Sequence, residues 1–319
     1  MNNKKVLVTG GAGFIGSNLV KQLINNENIV TVLDNFTTGY RGNLESFSEV
    51  KIIEGDIRNK YLVEEAVNSN EYIFHLAASV GNKRSIDDPI ADAEINVLGT
   101  INVLEAARKM GVKKVITSSS AGIFGELQTL PINESHRTEP DSPYGCTKLC
   151  EEKLCLAYSK LYPIDIVCLR YFNVYGPNQR YDAYGNVIPI FVFRMLKEKP
   201  IIIYGDGEQT RDFVHVNDVV QANIKAADAS GVTGAFNIAS GTNVTINNLV
   251  KLIAKNGNYP CTVEYHDVRP GDVKHSLADI SLAHKEFAYN PTVEMESGLE
   301  DYIIWAKKDL VLKDFNTLI

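Results

Sequence analysis

Apolar residues along this chain fall into short, mostly β-branched runs that alternate with stretches of helical period. The strand-like runs are Lys4–Thr9, Ile29–Leu33 (ending at Asp34), Lys51–Glu54, Tyr72–Leu76, Val112–Ser118 and Ile164–Leu169. Between them lie four stretches that read as helices: Ser17–Asn25, Tyr61–Val67, Ala91–Lys109 and Pro143–Tyr162. In the first, Leu19, Val20, Leu23 and Ile24 share one side, as a helix packed on a core requires. The strands are apolar at successive positions, not alternate ones, which predicts burial on both faces. Strand–helix alternation of this kind predicts a parallel sheet covered by helices on both sides.

After about Asn173 the rhythm weakens. Short strands (Ile201–Tyr204, Ala235–Ile238, Thr262–Tyr265) mix with helices and Gly and Pro breaks. The expected fold is therefore α/β: a Rossmann-like, doubly wound parallel sheet with a smaller C-terminal α/β lobe for substrate. The boundaries read as 1–172, with returning segments near 211–240, for the sheet domain. Residues 173–210 and 241–319 make the smaller lobe. No internal repeat or low-complexity tract is visible.

The chain has 319 residues, a 45% apolar and 22% charged composition, and a formal charge of −7. That balance is ordinary for a globular protein. The negative sign argues against a general nucleic-acid or anionic-membrane surface, while leaving room for one anion held by a few arginines. No apolar run approaches the length of a membrane span, and no signal peptide precedes the first strand. Five cysteines (146, 150, 155, 168, 261) without a C-x-x-C argue against a disulfide framework or zinc site, and read as buried thiols in a reducing cytoplasm. The six histidines show no metal-binding spacing, so no metal is expected.

Against that background, Thr9-Gly10-Gly11-Ala12-Gly13-Phe14-Ile15-Gly16 stands between a strand and a helix. In that context G-x-G-x-x-G is a dinucleotide cradle: glycine lets the backbone approach the pyrophosphate, and the helix N-terminus offers free N–H groups. Asp34 ends the second strand eighteen positions after Gly16, where its carboxylate can accept from ribose hydroxyls and repel a 2′-phosphate. The expected cofactor is NAD. Asp56-Ile57 follows the third strand and either faces the adenine or caps a turn.

Ser142-Pro143-Tyr144 reads as a helix start with Ser142 at the N-cap and Pro143 at N1. Tyr144 and Lys148 are then one turn apart on one face. The ammonium and the positive charge of an oxidised nicotinamide both favour phenolate, giving a base for a hydroxyl proton near neutral pH. Ser118, Ser119 and Ser120 end the fifth strand, where the ligand crevice of such a sheet lies. One of them can bond the reacting oxygen; the others satisfy backbone groups.

These residues, in this order, resemble the extended short-chain dehydrogenases/reductases, and among them the nucleotide-sugar 4-epimerases. The resemblance spans nearly the whole chain. It includes Thr9–Gly16, Asp34-Asn35, Gly55-Asp56-Ile57, His75-Leu76-Ala77-Ala78, Asn96–Thr100, Ser118–Gly125, Tyr144–Lys148, Leu169–Asn173, Arg211–His215 and Arg269–Asp272. It implies that Tyr144 takes the proton of a sugar 4-hydroxyl while C4 passes hydride to NAD. The 4-keto sugar then turns and takes the hydride back on its other face. Lys148 would lower the phenol pKa and contact the nicotinamide ribose, and Ser120 would hold the 4-oxygen. Gly10, Gly13, Phe14, Ile15, Gly16, Asp34, Asn35, Asp56, Ile57, Leu76, Ala77, Ala78, Asn96, Ser118 and Tyr171 would line the cofactor site with Tyr144 and Lys148.

By the same resemblance the UDP-sugar meets Gly81, Ser120, Asn173, Asn186, Val187, Tyr204, Arg211, Arg269, Asp272 and Ser276. Two guanidiniums can fork onto a diphosphate, and Tyr204 offers a flat face for uracil. Related dehydratases carry an Asp-Glu pair after the catalytic hydroxyl; Ala121-Gly122 stand there instead. A small residue at Ser276, with Gly81, points to UDP-N-acetylglucosamine/UDP-N-acetylgalactosamine interconversion, with UDP-glucose/UDP-galactose as a further pair. Other readings are a decarboxylase or ketoreductase of related sugars, or a non-catalytic NAD sensor. The resemblance also implies a homodimer through the helices of Ala91–Lys109 and Pro143–Tyr162.

Overall fold

A computed structural model describes residues 1–181, 185–259, 262–268 and 273–312, without the side chains of 310–312. In chain order, the strands are β1 (Lys5–Thr9), β2 (Ile29–Asp34), β3 (Lys51–Glu54), β4 (Tyr72–His75), β5 (Lys114–Ser120), β6 (Asp165–Tyr171) and β7 (Asn173–Tyr175). Then follow β8 (Ile201–Tyr204), β9 (Thr210–Arg211), β10 (Phe213–His215), β11 (Gly234–Ile238), β12 (Val244–Thr245) and β13 (Val263–His266). The helices are α1 (Phe14–Asn25), α2 (Lys60–Val67), α3 (Asn82–Asp87), α4 (Pro89–Ala93), α5 (Thr100–Met110) and α6 (Pro143–Leu161). The later ones are α7 (Val187–Leu196), α8 (Val216–Asp228), α9 (Ile246–Gly257), α10 (Ser281–Phe287) and α11 (Met295–Leu312).

Seven strands form one sheet in the order β11-β6-β5-β4-β1-β2-β3, and every pairing in it is parallel. The order reverses beside β1, because the chain lays β2 and β3 on one side and β4 to β6 on the other. This is the doubly wound arrangement expected from the sequence, and such a reversal opens a crevice at the C-terminal strand ends. Val6, Leu7 and Val8 on β1 are wholly buried, with alternate residues feeding two cores. Full burial of side chains like these contributes about 1.5–3 kcal/mol each. A third core lies around Phe191, Ile203, Leu249 and Ile253, away from the sheet strands.

Local signals set the helix ends. Asn59 caps α2 by accepting from Tyr61 N at 3.1 Å, and left-handed Gly111 stops α5. The chain read as one helix over Ala91–Lys109 is instead three pieces. A π-helical stretch, Glu94–Gly99, separates α4 from α5. Helix α1 begins at Phe14, three residues before the expected start, because Gly13 is its N-cap.

No described helix is long and apolar enough to cross a membrane, and the described residues contain no cluster of metal-ligating side chains. Of the four described cysteines, Cys155 and Cys168 are buried, but Cys146 and Cys150 are exposed on α6. The expectation of buried thiols is therefore wrong for two of them: the helix turns these positions away from the sheet.

Candidate active site

The glycine cradle is built by backbone crowding. A β-carbon at Gly10 (φ +71°) would lie 2.7 Å from Ala77 N, and one at Gly16 would lie 2.1 Å from the Gly10 carbonyl oxygen. Only glycine allows β1, the start of α1 and the Leu76-Ala77 backbone to meet this closely. Phe14 and Ile15 open α1 just beyond, part-buried against the core. Asp34 accepts from Ala12 N at 2.9 Å and Phe36 N at 2.8 Å, locking the loop between β1 and α1 to the end of β2. Burial raises its pKa above the ordinary carboxylate value, and the two backbone bonds limit the rise. A cradle that a β-carbon would fill, with a carboxylate fixed beside it, fits a dinucleotide carrying free ribose hydroxyls.

Asp56 sits in a turn. Its carboxylate accepts from Arg58 N (2.9 Å), from the Arg58 guanidinium and from Asn35 Nδ2 (2.9 Å). Arg58 bonding and the other partners hold it well below the ordinary range, at about 2, against the opposing effect of burial. The geometry thus supplies the turn-capping role for Asp56. The Ile57 side chain is core, with Gly99 packed on it.

At the end of β4, His75 is buried between two hydroxyls: Thr9 Oγ1 at 2.7 Å from Nδ1 and Thr100 Oγ1 at 2.9 Å from Nε2. Thr100 donates to the Asn96 carbonyl at 2.7 Å, so it accepts from His75 Nε2–H, and Nδ1 accepts from Thr9. Burial, then the nearby Lys148 charge, lowers the His75 pKa to about 3. Asn96 lies in the π-helical stretch and brackets the Ser79 backbone, accepting from its N–H at 2.8 Å and donating to its carbonyl at 3.1 Å. The crevice wall from Leu76 and Ala78 to Gly81 is thereby tied to the helix. Hydrophobic periodicity carries no sign of the π turn that aims Asn96.

The Tyr144 end of α6 is held from three sides. Ser142 caps the helix, accepting from Gly145 N at 3.1 Å, with Pro143 in the first turn. Ser85 on α3 accepts from Tyr144 N at 3.0 Å, and Ser142 donates to Asn82 Oδ1 at 3.0 Å. Gly145 packs on Gly122: a β-carbon on Gly145 would sit 2.5 Å from the Gly122 carbonyl oxygen. This close approach brings Ser120, at the end of β5, beside the Tyr144 ring: a β-carbon on Gly122 would touch both, and Ser120 helps to pull the phenol pKa down. Ser120 also accepts from Gly122 N at 3.1 Å.

The three serines separate cleanly. Ser119 donates to buried Glu152 at 2.8 Å, and Glu152 also takes both arms of Arg170. Ser118 makes a long 3.5 Å contact with the His75 carbonyl. Ser120 alone of the three meets the phenol.

Lys148 is buried one turn after Tyr144, and its ammonium donates to Glu151 at 2.5 Å. Lys148 lowers the phenol pKa as the helical spacing predicts, within a larger opposing balance. Burial raises the Tyr144 pKa; Lys148 and Ser120 pull it down, while Glu151 and Asp92 push it up, and the net direction is upward. Lys148 acts as expected but is outweighed, because sequence spacing could not show the burial or the acids behind it.

Beyond the central sheet, Asn173 opens β7 and donates to the Asp212 carbonyl at 3.0 Å. Asp212, missed by sequence reading, accepts from Ser240 N, Gly241 N and Ala278 N, so it pins the segment carrying Ser276. Ser276 is buried. Arg211 lies on β9, and its guanidinium donates to the Thr210 carbonyl at 2.9 Å. Tyr204 ends β8 with its ring edge-on to His266, and Asn186-Val187 begin α7. Gly81 (φ +111°) has open space where a β-carbon would point. Tyr171 exchanges hydrogen bonds with Asn223 on α8, so its hydroxyl serves packing. Arg269 and Asp272 lie outside the described residues.

Residues 6–239 match the NAD-dependent epimerase/dehydratase family. The chain belongs to that family. As a member it shares its NAD-dependent chemistry and its fold. A solved UDP-N-acetylglucosamine 4-epimerase from Methanobrevibacter ruminantium, in complex with UDP-N-acetylmuramic acid, is 37% identical. It superposes with a TM-score of 0.93, covering 97% of this chain and all of that one. The UDP-glucose 4-epimerase of Thermotoga maritima, solved with UDP-glucose, is 38% identical with a TM-score of 0.91, covering 96% and 99%. A UDP-N-acetyl-alpha-D-glucosaminuronate decarboxylase from Bacillus cytotoxicus is 34% identical, covering 96% of this chain and 98% of that protein. Within this family member, Ser120, Tyr144 and Lys148 therefore stand where sequence and geometry converge.

Proposed function

We propose that the protein is a UDP-hexose 4-epimerase with tightly held NAD, acting on the UDP-N-acetylglucosamine/UDP-N-acetylgalactosamine pair. The observation that carries this reading is the meeting of Ser120 and Tyr144 beside buried Lys148, bordered by a glycine. A β-carbon at Gly122 would lie 3.3 Å from Ser120 Oγ and 3.7 Å from Tyr144 Cε1. Position 122 therefore borders the phenol, and glycine there offers no acid or base for water elimination. Proton exchange with an alcohol is the chemistry this chain retains.

In this reading Tyr144 takes the proton of the sugar 4-hydroxyl and returns it after the sugar has turned. Ser120 steadies the 4-oxygen by hydrogen bonding. Lys148 offsets the charge developing on the phenol oxygen. NAD held in the glycine cradle supplies the hydride acceptor at C4 and its donor on return. Arg211, with Arg269, holds the diphosphate, and Tyr204 and Asp272 the nucleoside; Asn173, Asn186 and Val187 complete that side. The open space at Gly81 and the small Ser276 support an N-acetyl group at C2. The exposed apolar residues Ile90 and Leu98, on the two helical pieces that pack against α6, support a homodimer; a monomer by light scattering would end that part of the proposal.

The test is incubation with UDP-N-acetylglucosamine and UDP-glucose separately, without added NAD, and chromatographic separation of C4 epimers. Conversion of the first is expected, and Tyr144→Phe abolishes it while keeping the bound dinucleotide. Conversion of UDP-glucose alone would overturn the N-acetyl preference. Loss of carbon dioxide from a UDP-uronate, with no epimerisation, would favour the decarboxylase reading.

A further inference from the structure

Helix α6 carries Tyr144, Lys148, Glu151 and Cys155 on one stripe, at spacings of four, three and four. The stripe is not a solvated face. The Lys148 and Glu151 side chains are 2% and 3% exposed, and the two are in contact at 2.5 Å. The other carboxylate oxygen of Glu151 accepts from Thr117 Oγ1 on β5 at 2.7 Å. Thr117 is on the strand that ends in Ser120, so one strand grips both ends of the array: Ser120 at the phenol and Thr117 at the carboxylate. Glu151 has no part in the mechanism drawn above. A buried carboxylate with both oxygens committed, bonded to the ammonium beside the phenol, changes what that ammonium can do.

We propose that Glu151 is a positioning residue: held by Thr117, it anchors the Lys148 ammonium and sets the pH range in which Tyr144 exchanges its proton. The proposal rests on the reading of Tyr144 as the acid-base group. The charged and titratable groups around the array are few. On α6 they are Tyr144, Lys148, Cys155 and Glu152, the last already paired with Arg170 of β6. Cys168 of β6 faces Cys155, His75 of β4 is neutral, and Asp92 of α4 is held by Thr147.

Geometry and charge agree in direction. Burial alone would lower the Lys148 pKa, but Glu151 and Tyr144 more than offset it, and the result is raised. Burial raises Tyr144, and Glu151 adds to the rise while Lys148 and Ser120 oppose it. Removing the Glu151 charge therefore releases both groups downward.

The test uses the purified holoenzyme and Glu151→Gln, Glu151→Asp and Thr117→Val, with two readouts. One is the phenolate absorption band titrated against pH, each protein minus its Tyr144→Phe partner. The other is the pH profile of kcat on UDP-N-acetylglucosamine. Glu151→Gln should shift the Tyr144 titration and both limbs of the profile to lower pH by about one unit, the size expected for a charge this close. Thr117→Val should shift them the same way by less, and Glu151→Asp, which keeps the charge, should titrate at the wild-type position. A Glu151→Gln titration superimposable on wild type overturns the proposal, as does any fall in kcat or melting temperature without a shift. Should Glu151→Gln fail to fold, an unshifted Thr117→Val titration overturns it instead. If the wild type converts no UDP-sugar, the functional reading fails and the phenolate titration alone decides the role of Glu151.

Discussion

Gly145 and Gly122 meet backbone to backbone, a β-carbon on Gly145 lying only 2.5 Å from the Gly122 carbonyl oxygen. One glycine follows Tyr144 and the other follows Ser120 by two residues, so their contact fixes how near the phenol stands to the serine. Gly145→Ala must push α6 from the end of β5. The fold should survive, since α6 keeps its cap and its packing on β6. Misplacement of about 1 Å can cost about 100-fold in rate, and a loss of that order in kcat is expected. Steady-state kinetics beside a melting curve would check this; an unchanged kcat would show that the glycine contact does not set the catalytic geometry.

Ser119 and Ser120 are neighbours on one strand with opposite duties. Ser120→Ala should lower kcat by about 100-fold or more, the size of a lost acid-base partner, with little change in unfolding free energy. Ser119→Ala removes a bond to a buried charge and should cost about 1–3 kcal/mol of stability, with kcat nearly kept. Urea unfolding and kinetics on both variants separate the two roles. The reverse pattern would assign the 4-oxygen to the wrong serine.

Much of this arrangement was legible as pattern. The strands announced themselves as continuous apolar runs, and Ser142-Pro143 marked the start of α6. Helical spacing then placed Lys148 one turn from Tyr144. What escaped was set by tertiary contact. In Leu149-Cys-Glu-Glu-Lys153 two acids look like a solvated helix face, yet Glu151 and Glu152 are buried because Lys148, Thr117, Ser119 and Arg170 meet them. The π turn at Glu94–Gly99 is not legible in hydrophobic period, since a single widened turn within a short amphipathic stretch reads as an ordinary irregularity of the stripe. The hydroxyl of Tyr171 is bonded to Asn223, a partner 52 residues away that no local pattern reveals.

His75 gives the protein an acid-sensitive interior. Its native pKa, lowered to about 3 chiefly by burial, lies below the 6.5 of an unburdened imidazole. Between those values the unfolded chain binds a proton that the native state refuses. Stability is therefore complete above about pH 6.5 and falls as the pH drops, with a slope approaching about 1.4 kcal/mol per unit from this one group. His75→Gln should be less stable than wild type at about pH 8, and the gap should narrow toward about pH 5. Urea midpoints at the two pH values measure it. A constant gap would mean that His75 takes up its proton in the native state as readily as in the unfolded chain.

Ser276 offers a specificity test that does not depend on the chemical step. Its side chain is buried, and the backbone around it is fastened on both sides: Thr210 N donates to the Lys274 carbonyl at 2.9 Å, and Ala278 N to Asp212 at 3.2 Å. A larger residue there cannot be relieved by sliding the segment, so its bulk must enter whatever space the serine borders. If that space receives the C2 substituent, Ser276→Tyr should lower kcat/KM for UDP-N-acetylglucosamine by about 100-fold and for UDP-glucose far less, because steric rejection acts on the substrate that needs the room. Ser276→Ala should leave the ratio of the two unchanged. Kinetics with both substrates on both variants gives that ratio directly. Were Ser276→Tyr to depress both substrates equally, with its melting temperature intact, the residue would border the shared part of the sugar and the N-acetyl preference would need another wall.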